Sequence, residues 1–358
     1  MYNILDKIKK YKILGEKGEL VIPFLSFNKL KTFLPGIEKS TYYLVTASSG
    51  VGKSRFARRI FLHDVLEHYL KNESKMKLKI FYFSLEEAKE RIWMSIISNI
   101  LYKNYKIEKS IRDLSSKFTP LDEEVIKKIE EMEPLLKRIN NVLEVYDDIR
   151  NISKMSEILT KHFRKNGQEI IKEKDGIEYI DEYIPDNENS YTIIIVDHIG
   201  LLDYKTQIKT EIEKWSNQMC IKFRDKYGAT TVNIQQQAAA GESIDNIKAF
   251  KLEPSYTNLA ESKLTFRDAN IVLGLFSPHK HEISSYRGYD INVLKDNYRM
   301  LSILKDRDGE ANYTLSMYFN GKVEVFNELP KKTELDKIRK IYEKINANNS
   351  CYDIVNSM

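Results

Sequence analysis

Cysteine is nearly absent from this 358-residue chain: there are two, Cys220 and Cys351, far apart and in no CxxC pair. That excludes a disulfide scaffold and a cysteine-based zinc site, and it fits a reducing cytosol. Long hydrophobic runs are missing as well. Nothing approaches the about 18 uncharged apolar residues of a membrane-spanning helix. The opening MYNILDKIKKYKILGEKGEL carries charge throughout and does not read as a secretory signal. A cytoplasmic protein with no membrane partner is the expectation. No charge sign dominates either. The 57 basic residues are mixed with 52 acidic ones, for a net charge of +5. That balance permits a polyanionic partner without demanding one. No internal repeat or low-complexity segment is present, and the length allows one to three domains.

What is there is alternation. Apolar, β-branched runs predict strands over 42–46, 79–85, 142–146, 192–196, 230–234 and 271–276. Helical periodicity predicts helices over 53–70, 87–102, 121–140 (despite Pro134), 153–165 and 211–227. The run TIIIV at 192–196 reads as a strand buried on both faces. Strands alternating with helices imply βαβ units and a mostly parallel sheet. After residue 290 the pattern turns β-rich. Strands over 314–320 and 322–326 are expected to meet in a tight turn at Asn320-Gly321. Residues 166–190 form a charged insert, with a hairpin suggested at Asp175-Gly176. Residues 237–266 read as a polar, flexible loop, and the tail 330–358 carries one helix over 334–345. A short amphipathic helix over 2–11, with Ile4, Leu5 and Ile8 on one side, makes residues 1–19 an N-terminal arm.

The stretch TASSGVGKS at 46–54 carries the chemistry. It fits the phosphate-loop pattern G-x-x-x-x-G-K-[ST], with Ala47 in the first position and Gly52, Lys53 and Ser54 closing it. Small residues let backbone N–H groups curl around phosphates. The nucleotide-binding set is therefore Ala47, Ser48, Ser49, Gly50, Val51, Gly52, Lys53, Ser54 and Arg55. Lys53 reaches for the β- and γ-phosphates, and the Ser54 hydroxyl for Mg2+. Asp197 ends the run TIIIVD at the carboxyl edge of a buried strand, the edge where open α/β sheets bind ligands. It is the second expected Mg2+ ligand, so ATP and Mg2+ are the expected cofactors.

The tetrad Phe83-Ser84-Leu85-Glu86 resembles the motif after the second strand of the DnaB-like replicative helicases, a branch of the RecA superfamily. The similarity runs on in register over residues 20–328. It takes in LDEEVIKKIEEMEPLLKRINNVLEVYDD, ISKMSEILTKHFRK, EIEKWSNQMCIKFRDKYGATTVNIQQ, LTFRDANIVLGLF and ILKDRDGEANYTLSMYFNGKVEVF. The resemblance implies a RecA-like P-loop core at 20–329: an α/β fold with a central, mostly parallel sheet flanked by helices and a C-terminal β-hairpin. It also implies roles. Glu86 polarises the attacking water, since His198 rather than an acid follows Asp197. Gln236 senses the γ-phosphate, with Gln235 and Gln237 as alternatives. Lys305 and Arg307 reach into a neighbouring subunit's site. Two residues apart on a strand, that pair would share one face. The implied assembly is a homo-oligomer, a hexameric ring on single-stranded DNA, with a primase or helicase loader as a further partner. The short N-terminal arm fits a phage or plasmid version without the N-terminal helical collar.

By position, loops 203–210 and 239–266 would face the channel. Lys205, Lys209, Lys248 and Lys251 are the candidate DNA contacts there, with Phe250 and Tyr256 placed to stack bases. The reading is an ATP-dependent helicase motor. Its alternatives are a recombination or partner-remodelling ATPase without unwinding, and a nucleotide-binding assembly subunit.

Overall fold

The computed structural model describes residues 4–238, 241, 252–350 and 353–354. Nine strands form the central sheet: Tyr42–Ala47 (β1), Lys77–Ser84 (β2), Leu143–Tyr146 (β3), Ser190–Asp197 (β4), Thr230–Gln236 (β5), Ile271–Phe276 (β6), Tyr298–Asp306 (β7), Thr314–Asn320 (β8) and Val325–Glu328 (β9). Their order is β9-β8-β7-β6-β1-β5-β4-β2-β3. The six strands from β6 to β3 pair in parallel, and β7, β8 and β9 add antiparallel to one side. The fold is the expected α/β RecA-like architecture.

Both sheet faces are apolar because the central strands are covered on both sides. On one face Tyr43, Val45, Ala47, Ile80, Tyr82, Ile193, Ile195, Val232 and Ile234 pack against Phe56, Ala57, Ile60 and Phe61 of the helix that follows the phosphate loop. On the other, Leu44, Phe81, Ile194 and Val196 meet Met155, Leu159 and Phe163, together with Trp215 and Phe223. Each strand feeds both clusters by simple alternation.

The expected helix over 53–70 runs as Lys53–Arg58, a π turn at Arg59–His63, and Asp64–Lys71. The expected single helix over 121–140 is two, Glu123–Glu131 and Glu133–Val142. Pro134 lacks an N–H and so suits a first helical turn, which is where the second helix starts. The helix expected from 211 starts at Ile208. The C-terminal hairpin corrects the tight-turn expectation. Asn320 pairs with Val325, so residues 321–324 form a longer loop, and the second strand is Val325–Glu328 rather than 322–326. The cause is Glu324, whose side chain is drawn into the interior.

The insert forms an antiparallel hairpin, Gly167–Lys174 with Ile177–Pro185, turning at Asp175-Gly176. Tyr183 and Ile180 pack it on the second core cluster. The N-terminal helix is Ile4–Glu16, longer than expected, and Ile4, Leu5, Ile8, Tyr11 and Ile13 on it are all exposed. No helix among the described residues is long and apolar enough to cross a membrane.

Candidate nucleotide site

The phosphate loop leaves β1 after Ala47. Gly50 and Gly52 adopt φ of 76° and 99°, the left-handed region that glycine reaches without steric cost. A Cβ on Gly52 would stand 3.4 Å from the Phe319 ring of β8, so the loop leans directly on the C-terminal hairpin. Arg299 of β7, fully buried, donates from Nε to the Val51 carbonyl at 2.6 Å and holds the loop from the same side. The first helical turn after the loop leaves backbone N–H groups without intrahelical partners, as an anion site requires. Lys53, at that turn, is only 8% exposed.

Ser54 Oγ donates to Asp197 Oδ1 at 2.8 Å, which ties the phosphate loop to the end of β4. Tyr82 OH, from the neighbouring β2, donates to Asp197 Oδ2 at 2.8 Å. Burial pushes the Asp197 carboxyl above its usual range, against the pull of Arg58 and these two hydrogen bonds. A cation beside Asp197 would relieve that burial cost. The donor set fits Mg2+: one hydroxyl and one carboxylate oxygen, hard ligands that leave most coordination positions to water and phosphate. Among the described residues there is no group of three or more His, Cys, Asp or Glu that could hold a metal ion.

Glu86 lies at the same edge because Ser84 is in register with Asp197 and the Leu85 N–H donates to the Asp197 carbonyl at 2.6 Å. It is 54% exposed, with Oε2 3.7 Å from His198 Nε2. Burial holds the His198 ring below its usual pKa, and the nearby Lys53 charge adds to that. Lys53, Ser54, Asp197, His198 and Glu86 therefore gather at one strand edge.

The three glutamines separate by strand alternation. Gln235 and Gln237 are buried and bonded: Gln235 Oε1 accepts from Thr265 Oγ1 at 2.5 Å, and Gln237 Nε2 donates to Thr46 Oγ1 at 2.8 Å. Gln236 pairs with Ala47 and falls on the alternate positions of Val232 and Ile234, toward the phosphate-loop helix. It alone of the three is only partly buried.

Lys305 and Arg307 lie at the opposite edge. Asp306 of β7 pairs with Ile271, which in turn pairs with Tyr43 at the start of β1. The two residues do not form the expected one-face pair, because the strand ends at Asp306. Lys305 turns inward and donates to the carbonyls of Phe266, Arg267 and Ala269 at 2.9, 2.7 and 2.7 Å. Arg307 is exposed beyond the strand, without an ion pair among the described residues. Of the candidate DNA contacts, Lys205 and Lys209 are exposed. Lys209 borders a cleft of about 320 Å³ with Tyr256, Lys263 and Arg267. Lys248, Lys251 and Phe250 lie outside the described residues.

Sequence reasoning missed Arg58, Arg299, Tyr82 and Glu324. An arginine inside an otherwise apolar helix face was a usable signal for Arg58. Nothing local marked Glu324, which sits in a turn.

The DnaB-like helicase C terminal domain family matches residues 25–328. The chain belongs to that family. Two solved structures share the fold. One is described as an ATPase domain, with TM-score 0.65 and 17% identity over 92% of this chain and all of that one. The other is a DnaB-like replicative helicase described with its interactions with primase, with TM-score 0.62 and 16% identity over 91% of this chain and 66% of that one. No curated protein matches the sequence. The residues gathered around Lys53 all lie within the stretch that the family matches.

Proposed function

We propose that the chain is an ATP-driven DNA helicase motor, hydrolysing ATP at the interfaces of a homo-hexameric ring to translocate on single-stranded DNA during replication. The observation that carries this reading is the Ser54–Asp197 hydrogen bond at 2.8 Å with Glu86 at the same strand edge. Backbone N–H groups of residues 48–54 and the Lys53 ammonium would hold the triphosphate. Ser54 and Asp197 would hold Mg2+, which supplies charge neutralisation at the phosphates when bound. Glu86, exposed at that edge, accepts a proton from the attacking water and orients it. Gln236 registers the γ-phosphate. Arg307 of one subunit neutralises the charge developing in its neighbour's site, since it lies a full sheet's length from its own phosphate loop. Lys305 holds the chain beside Arg307. Lys205 and Lys209 supply sequence-tolerant phosphate contacts. A primase or loader is the accompanying partner class.

The test is the ATPase rate with and without single-stranded DNA, followed by unwinding of a forked duplex. Stimulation with unwinding is the expected result. Stimulation without unwinding would move the reading to a recombination or remodelling ATPase. Tight ATP binding with neither effect would make it an assembly subunit.

A further inference from the structure

Arg58 is fully buried one helical turn below Ser54, and its guanidinium approaches three acids. Nε lies 3.1 and 3.0 Å from the two Glu324 carboxylate oxygens, and Nη2 donates to Glu324 Oε1 at 2.7 Å. Nη1 donates to Glu87 Oε2 at 2.5 Å. The same Nη1 stands 3.9 Å from Asp197 Oδ2, at ion-pair distance but outside a hydrogen bond. That oxygen accepts from neutral Tyr82 instead. A guanidinium and a divalent cation are rivals for one carboxylate, and burial strengthens both attractions.

Glu324 takes up the Nε and Nη2 side of the guanidinium. It enters from the loop of the C-terminal hairpin with φ of 54°, a backbone region that side-chain-bearing residues seldom adopt. Its carboxylate is pinned from two more elements: Ser95 Oγ donates to Oε2 at 2.7 Å, and His63 Nε2 lies 3.1 Å from the same oxygen. Arg58 thereby has its two-pronged side committed to a fixed acid, and only the Nη1 corner approaches the metal carboxylate.

We propose that Glu324 is a positioning residue: by anchoring Arg58 it keeps that guanidinium from pairing fully with Asp197, and so leaves Asp197 available to Mg2+. The inference rests on the reading of Ser54 and Asp197 as the Mg2+–ATP seat. It couples the turn of the C-terminal hairpin to the metal requirement of a site formed by other strands. Glu87 joins the same guanidinium, so the segment carrying Glu86 is held by it too.

The experiment is equilibrium binding of a fluorescent ATP analogue to the full chain across a Mg2+ series and in EDTA, with folding checked by thermal unfolding. Glu324→Gln is expected to bind within about twofold of wild type in EDTA, yet to need at least roughly fivefold more Mg2+ at its midpoint. The double variant Arg58→Gln/Glu324→Gln, which removes the rival, should return the midpoint toward wild type. If Glu324→Gln does not fold, Glu324→Asp keeps the charge at a shorter reach, and an intermediate midpoint is expected. An unchanged Mg2+ midpoint in a folded variant, or a double variant as impaired as the single, overturns the role. Wild-type protein that binds no nucleotide at any Mg2+ concentration overturns the underlying reading of the site, and this role with it.

Discussion

The two edges of the parallel strands each carry an arginine, and the two arginines are treated in opposite ways. At the carboxyl edge Lys53, Arg58, Asp197 and Glu324 are buried, with Arg58 bonded to Glu324 and at ion-pair distance from Asp197. At the other edge Arg307 is exposed, and a groove of about 860 Å³ opens between the insert hairpin and the helix Ile152–Lys165, bordered by Lys77, Lys79, Lys161 and Lys165. The first edge is settled within one chain as far as its arginine goes, since Arg58 meets Glu324 and Glu87. The second is not, because its arginine has no acid to answer it among the described residues. Six residues of β1 span about 20 Å between those edges, too far for Arg307 to serve its own phosphate loop.

The largest expected effect breaks or confirms that contrast. Arg307→Ala should lower ATP turnover by about 10³–10⁵-fold while leaving nucleotide affinity and thermal stability near wild type. Mixed with Glu86→Gln chains, which are also inactive alone, it should regain part of the activity. Mixed assemblies that stay inactive would mean that the far edge serves no neighbour.

Arg58→Ala tests the carboxyl edge. It strands the buried carboxylate of Glu324, and denaturant unfolding should show a loss of about 3–5 kcal/mol. A loss below about 1 kcal/mol would show that the web contributes little to the fold.

His162 faces the groove at the far edge. Burial first, and then the charge of Lys79, holds its ring down at about 4, so it is neutral in the folded chain at pH 7. The unfolded ring titrates near about 6.5. As pH falls from the unfolded value to the folded one, the unfolded state takes up a proton that the folded state refuses, and stability drops. Discounted for partial exposure, the loss is about 2 kcal/mol between pH 7 and pH 4.5. His162→Gln should remove that component; an unaltered pH slope in the variant would be the contrary result.

The smallest effect belongs to Lys305. Its three hydrogen bonds close the carbonyl end of the helix Leu264–Asp268. Lys305→Met should cost about 1 kcal/mol in thermal unfolding. Its loss of turnover should be much smaller than that of Arg307→Ala, and equal losses would show the two acting as a pair.

The parts legible in the sequence were those with local causes. The phosphate loop shows in its glycines and lysine, the buried strands in β-branched runs, and the insert hairpin in Asp175-Gly176. The choice among Gln235, Gln236 and Gln237 was not legible, because one residue of register decides which face each takes. The hairpin turn at Asn320 was misread for a different reason. Dipeptide preferences are weak beside a buried ion pair, and Glu324 is pulled inward by Arg58, 266 residues earlier in the chain.

By itself the sequence determined the alternation of strands and helices and the chemistry of the loop at 46–54, since both depend on neighbours in the chain. Tertiary structure alone decided which charges are buried together and which face outward. Ser54 meets Asp197, and Arg58 meets Glu324, only because strands and helices distant in sequence pack side by side; Arg307 is exposed because the sheet sets it at the far edge.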